Sequence, residues 1–184
     1  MTKKAALFIA DGSEEVEAIT PLDLLRRAGK NVKTVGVTGK IVNGSHGIPV
    51  TADCTADEIT LDDSLEMVIL PGGMPGTLRL NDSEAVRGAV AYMNERKRPI
   101  AAICAAPTVL GGMGLLEGRT ATCYPGMEDG LHCANASADP VCIDGHIITS
   151  RGVGTAIPFA LALIDVLCPA GTSEKIAESV VYRK

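Results

Sequence analysis

Residues 99–110, PIAAICAAPTVL, decide how the chain folds. The run PIAAI follows the charged Arg96-Lys97-Arg98 and is too short for a helix, so it reads as a buried strand. The small residues and Pro107 that follow suit the first turn of a helix. Cys104 then stands at the tight turn between strand and helix. Its sulfur there faces the backbone N–H groups of the helix start, whose partial positive charge favours a thiolate. A buried core cysteine, acting as a small hydrophobe, is the alternative that this stretch alone leaves open.

The same alternation runs along the whole chain. AALFIA (5–10) precedes a helical pattern, EEVEAITPLDLLRRAG, with Val16, Ile19, Leu22 and Leu25 on its apolar track and Gly29 as terminator. NVKTVGV (31–37) reads as the next strand, and KIVNGSHGIPVTAD as a hairpin turning at Asn43-Gly44. EMVIL (66–70) ends in PGG, and Ser83 caps a helix whose buried face is Ala85, Val86, Ala89, Val90 and Met93. After the Cys104 turn come TATCY (120–124), a hairpin around Asp144-Gly145, a helix in TAIPFALALIDVL and a short amphipathic helix at SEKIAESVVYRK. Strands and helices at this spacing build βαβ units, hence one α/β domain over residues 1–184 with a mainly parallel sheet.

Composition narrows the function. The chain has 184 residues, a net charge of −5, three Tyr, two Phe and no Trp. It therefore offers neither a basic surface for nucleic acid nor aromatic platforms for single strands. Two lysines precede the apolar AALFIA, but that run is too short for a signal peptide, and no run reaches the length of a membrane span. A cytoplasmic location without membrane contact is the expectation. The six cysteines form no CxxC pair and read as thiols rather than a disulfide framework. Cys123, His132, Cys133, Cys142 and His146 are soft ligands whose spacing matches no zinc pattern, so neither metal nor cofactor is expected.

In parallel sheets, function gathers at the carboxyl ends of the strands. That rule nominates three loops: ADGSEE after the first strand, PGGMPG after EMVIL, and CAAP after PIAAI. They bring the acid Glu17, the bare backbone of Gly72 and Gly73, and Cys104 with the N–H of Ala105. An acid, two sets of N–H donors and a sulfur are the parts of a nucleophilic site with an oxyanion hole.

These loops carry a resemblance. GSEEVEAITPLDLLRRAG (12–29), VILPGG (68–73), IAAICAAPTVL (100–110), TCYPGME (122–128) and TSRGVGTAIPFAL (149–161) occur in the order of the ThiJ/PfpI superfamily. Within it the chain resembles the branch of the Parkinson disease protein deglycase and its bacterial relatives. The resemblance implies a flavodoxin-like doubly wound three-layer sandwich, related to class I glutamine amidotransferases. It implies that Cys104 is the reactive cysteine and Glu17 its protonated partner, with the thiol pKa kept low; the tight elbow itself calls for a strained backbone at Cys104. Gly72, Gly73 and Ala105 are the implied backbone donors, and Tyr124 and Val153 further pocket residues. It also implies a homodimer packed through the first helix, which would bring Arg27 and His46 of one chain toward Cys104 of the other.

The chain departs from the superfamily in three places. Tyr124 stands where some members have histidine, Ala105-Ala106 follow the cysteine where peptidase-like members have histidine, and no His-x-Glu follows SRGVGT. The expected activity is glyoxalase or deglycase chemistry, turning a reactive carbonyl or a glycated adduct into a 2-hydroxy acid. A redox-responsive stress protein or chaperone that oxidises Cys104 is the alternative. Peptidase or amidase activity ranks below both.

Overall fold

In the computed structural model, which describes residues 3–183, strand β1 (Lys4–Ile9) is buried on both faces. Ala6 and Phe8 join one core, while Ala5, Leu7 and Ile9 join the other. Residues 5–9 are apolar at every position, with no polar alternation, as a strand covered on both sides requires. β6 (Leu65–Leu70) and β7 (Ile100–Ile103) repeat the division, Val68, Leu70, Ile100 and Ala102 facing opposite to Met67, Ile69, Ala101 and Ile103.

Along the chain, α1 (Glu15–Arg27) follows β1, then β2 (Val32–Gly36), β3 (Ile41–Asn43), β4 (Pro49–Thr51) and β5 (Cys54–Thr55) precede β6. Helices α2 (Gly76–Asp82) and α3 (Glu84–Glu95) lead to β7, and α4 (Pro107–Gly112), β8 (Thr120–Ala121) and β9 (Asn135–Ala136) follow it. The chain closes with β10 (Val141–Asp144), β11 (Ile147–Ser150), α5 (Ala156–Leu167) and α6 (Thr172–Ser179). The main sheet runs β10-β11-β7-β6-β1-β2-β5, antiparallel only at β10. Its central parallel strands, β2-β1-β6-β7-β11, have the flavodoxin-like order, with the switch between β1 and β6.

Helices α2, α3 and α4 supply Leu80, Val86, Val90, Met93, Val109 and Leu110 to one core. On the other face α1, α5 and α6 supply Leu24, Leu25, Phe159, Leu163, Ile164 and Ile176. Each fully buried Leu, Ile or Phe is worth roughly 1.5–3 kcal/mol over exposure. Ser83 caps α3 as expected, accepting from Val86 N at 3.4 Å. Among the described residues, no helix is long and apolar enough to cross a membrane.

Several local expectations are corrected. The hairpin does not turn at Asn43-Gly44; β3 and β4 flank a five-residue loop, 44–48, closed by Gly44 N to Ile48 O at 3.0 Å. The wider loop lies over Glu15, whose carboxylate accepts the N–H of His46 at 2.7 Å. The strand at TATCY shortens to two residues, since Thr122 N is drawn to Thr149 Oγ1 at 2.9 Å. On α1 the apolar Val16 and Ile19 are 45% and 39% exposed, the excess over a single sheet-facing stripe that the helix sequence carries. The buried face of α1 is Ala18, Pro21, Leu24 and Leu25.

Candidate active site

The loops after β1, β6, β7 and β11 converge at one edge of the sheet. Cys104 sits directly after β7, its N–H bonded to Ser150 O at 2.9 Å and its carbonyl accepting from Tyr124 N at 2.8 Å. Its φ is +65°, a left-handed conformation that L side chains rarely hold. The strained elbow aims the sulfur into a cavity of about 480 Å³ that Glu14, Glu17, Tyr124, Arg151 and Val153 also line.

Glu17 is fully buried one turn into α1, whose cap is Glu14, accepting from Glu17 N at 2.7 Å. The Oε2 of Glu17 accepts from Gly72 N at 3.1 Å, while its Oε1 is buried with no partner. A Cβ on Gly72 would stand 2.6 Å from the Cys104 Cβ and 2.7 Å from Glu17 Oε2, so only glycine lets acid and cysteine close up. Gly72 thus spends its N–H on the acid, not on an oxyanion. The N–H groups of Gly73 and Ala105 face the sulfur instead. Gly73 is also confined, with φ +88° and no room for a side chain beside Glu14 N.

Burial raises the Glu17 carboxyl to about 7, opposed by its contact with Cys104 and aided by the charge of Glu14. The expectation of a depressed thiol is corrected. Burial first, then the charge and hydrogen bond of Glu17, push Cys104 up to about 12, outweighing the N–H donors of Gly73 and Ala105. The pair holds one proton between these two values and titrates as a unit. Two of the three causes that raise the thiol are the ionised Glu17. With the proton on Glu17 instead, both vanish and the carboxyl becomes a donor to sulfur.

The remaining sequence candidates divide. Tyr124 and Val153 line the cavity at 52% and 46% exposure. Within this chain His46 lies outside it, its Nδ1 2.9 Å from Glu15 Oε2, which raises the imidazole pKa. Glu15 is in turn held down to about 2 by its donors at His46 and Ile48, against burial. Arg27 pairs with Asp23 at 2.7 Å on the outer face of α1. All six cysteines are free, and burial raises Cys54, Cys123, Cys142 and Cys168. The soft-ligand patch does not close. His146 bonds Asn94 Oδ1 at 2.9 Å and Cys142 bonds Thr120 O at 3.3 Å. Among the described residues the ligand-type side chains that do converge are Glu14, Glu15 and His46.

The profile of the DJ-1/PfpI family matches residues 3–166. The chain belongs to the DJ-1/PfpI family. Among DJ-1/PfpI relatives, protein DJ-1 homolog B of Arabidopsis thaliana is 38% identical over 185 residues, covering 99% of this chain and 42% of that protein. The chain thus spans under half the length of that plant relative. A protein named a deglycase from Pyrococcus abyssi is 35% identical over 169 residues, covering 89% of this chain and 99% of its own. The solved structure of oxidised Toxoplasma gondii DJ-1 superposes with a TM-score of 0.94 at 37% identity, both chains covered in full.

Two residues that line the cavity, Glu14 and Arg151, carry no distinctive motif in the sequence. Glu14 reads in the sequence as one acid of the ADGSEE loop, yet it caps α1 and lines the cavity. Arg151 lies within SRGVGT, at the end of a fourth strand. Its position directly after β11 is the signal that points to it, because function gathers at the carboxyl ends of parallel strands.

Proposed function

We propose that the protein is a cysteine-dependent enzyme of the glyoxalase or deglycase type, acting on α-oxoaldehydes or their adducts. One observation carries this reading: Cys104 is held at φ +65° between a fully buried acid and two N–H donors. Transfer of the shared proton to Glu17 frees the thiolate, whose sulfur adds to the aldehyde carbon. The new oxyanion takes a proton and becomes a hemithioacetal, and the N–H groups of Gly73 and Ala105 are the donors aimed at the charge. Glu17, again a carboxylate after protonating that oxyanion, removes the proton on that carbon and returns it to the neighbouring carbon, while the hydroxyl proton of the first carbon passes to the oxygen of the second, leaving a 2-hydroxy thioester. Water then cleaves the C–S bond, releasing the 2-hydroxy acid and restoring the thiol. The sum is one aldehyde plus one water giving one acid, with no outside oxidant. The archaeal relative named a deglycase supports this class.

The test is incubation with methylglyoxal, following lactate by NMR for wild type and Cys104→Ser. Lactate from wild type alone is expected; equal lactate from both refutes the reading. A homodimer through α1 belongs to the same proposal, supported by the exposed Val16 and Ile19 and by Arg27, which lines one surface cleft with Ile19. A monomer by light scattering at micromolar concentration would remove it. Oxidation of Cys104 is the second use that the site supports, since the Toxoplasma relative is described as oxidised.

A further inference from the structure

Arg151 is a half-buried cation with almost nothing to bind. Its guanidinium carries five N–H donors, yet the described structure gives it one acceptor, the carbonyl of Ser137 at 3.4 Å. The other half-buried arginines, Arg98 and Arg119, each hold a carboxylate and at least one carbonyl. Arg98 reaches Leu65 O at 3.0 Å and Asp63 at 2.8 Å, and Arg119 reaches Asp144 at 3.0 Å and Leu115 O at 3.1 Å. No carboxylate of the described residues lies within ion-pair distance of Arg151. A partly desolvated guanidinium left in this way awaits an anion from outside the chain.

Its position identifies where that anion lies. Arg151 lines the same cavity as Cys104 and Glu17, and it is the one cationic side chain among the described residues that do so. The β-ladder fixes it there, because Ser150 pairs with Ile103 and accepts the N–H of Cys104. Glu14 lines the same cavity, an acid that would repel a doubly charged phosphate more strongly than a singly charged carboxylate. We infer that Arg151 anchors the carboxylate of an anionic substrate, so that the favoured substrates are α-oxoaldehydes whose chain ends in a carboxylate. This rests on the proposed carbonyl chemistry for the aldehyde end, but the anion site itself does not.

The experiment separates the two. Cys104 is alkylated with iodoacetate and with the uncharged iodoacetamide in wild type, Arg151→Lys and Arg151→Met. The rate ratio of iodoacetate to iodoacetamide is expected to fall about tenfold in Arg151→Met, the worth of one charge-assisted contact. Arg151→Lys keeps the charge and should keep most of the ratio, which sets aside a folding defect. In parallel, the kcat/KM ratio of dioxopentanoate, a carboxylate-ended α-oxoaldehyde, to methylglyoxal should fall by a similar factor in Arg151→Met. If neither aldehyde is turned over while the alkylation ratio still falls, the anion site stands and the enzymatic reading fails. An alkylation ratio unchanged in Arg151→Met overturns the anion site, whatever the turnover.

Discussion

Replacing Glu17 by glutamine removes a charge that the fold buries at a cost. Burial lifts this carboxyl from the usual 4.5 to about 7. At about 1.4 kcal/mol per pKa unit, ionising it in the folded state costs about 3 kcal/mol more than in the unfolded chain. The folded-state value is the higher one, so the associated stability is fully present below about pH 4.5 and lost as the pH rises through about 7. Glutamine does not titrate. Urea denaturation across this range should therefore show the stability of wild type, relative to Glu17→Gln, declining by about 3 kcal/mol from the acid to the alkaline side.

The thiol supplies an independent readout of the same variant. The charge and hydrogen bond of Glu17 are both among the causes that raise Cys104. Glu17→Gln loses the charge and keeps an N–H donor, so the midpoint of Cys104 alkylation against pH should move below that of wild type. Glu17→Leu loses the donor as well and should lie above the glutamine variant. A stability difference independent of pH, together with coincident alkylation midpoints in all three proteins, would refute the coupling of acid and thiol.

Three further outcomes follow from the geometry. Cys104→Gly should relieve the left-handed backbone at φ +65° and raise stability by about 1 kcal/mol in denaturant titration, while abolishing alkylation at this position. Gly73→Ala places a Cβ 2.3 Å from Glu14 N; a loss of at least about 3 kcal/mol is expected, with activity lost even where the fold survives. The imidazole of His46 should titrate above the usual histidine range by NMR, because Glu15 holds it, and Glu15→Gln should bring it back down.

Much of this protein is legible in one dimension because its signals are local. The alternation of short apolar runs with 3.6-periodic segments fixes the α/β class, and the loops it places at strand ends carry Cys104, Glu17 and the Gly72-Gly73 backbone. Even the strain at Cys104 follows from a strand handing over to Pro107 within a few residues. Helix α2 is less visible, being seven residues long and starting beside Pro75, with no apolar stripe to announce it.

Other properties depend on atoms far apart in sequence. Whether Cys104 is a thiolate turns on a balance between burial and the charge of Glu17, which no spacing encodes, and here burial reversed the expectation. Gly72 lies 55 residues from the acid it bonds, so the loss of its N–H to Glu17 appears only when β1 and β6 pair. His46 is drawn to its own Glu15 because the hairpin folds over the start of α1. The unpaired state of Arg151 is likewise a statement about its neighbours, since any arginine in the sequence looks the same until its surroundings are known. Local chemistry chose the elements and the reactive sulfur; the meeting of distant loops in a low-dielectric cleft decided the charges around it.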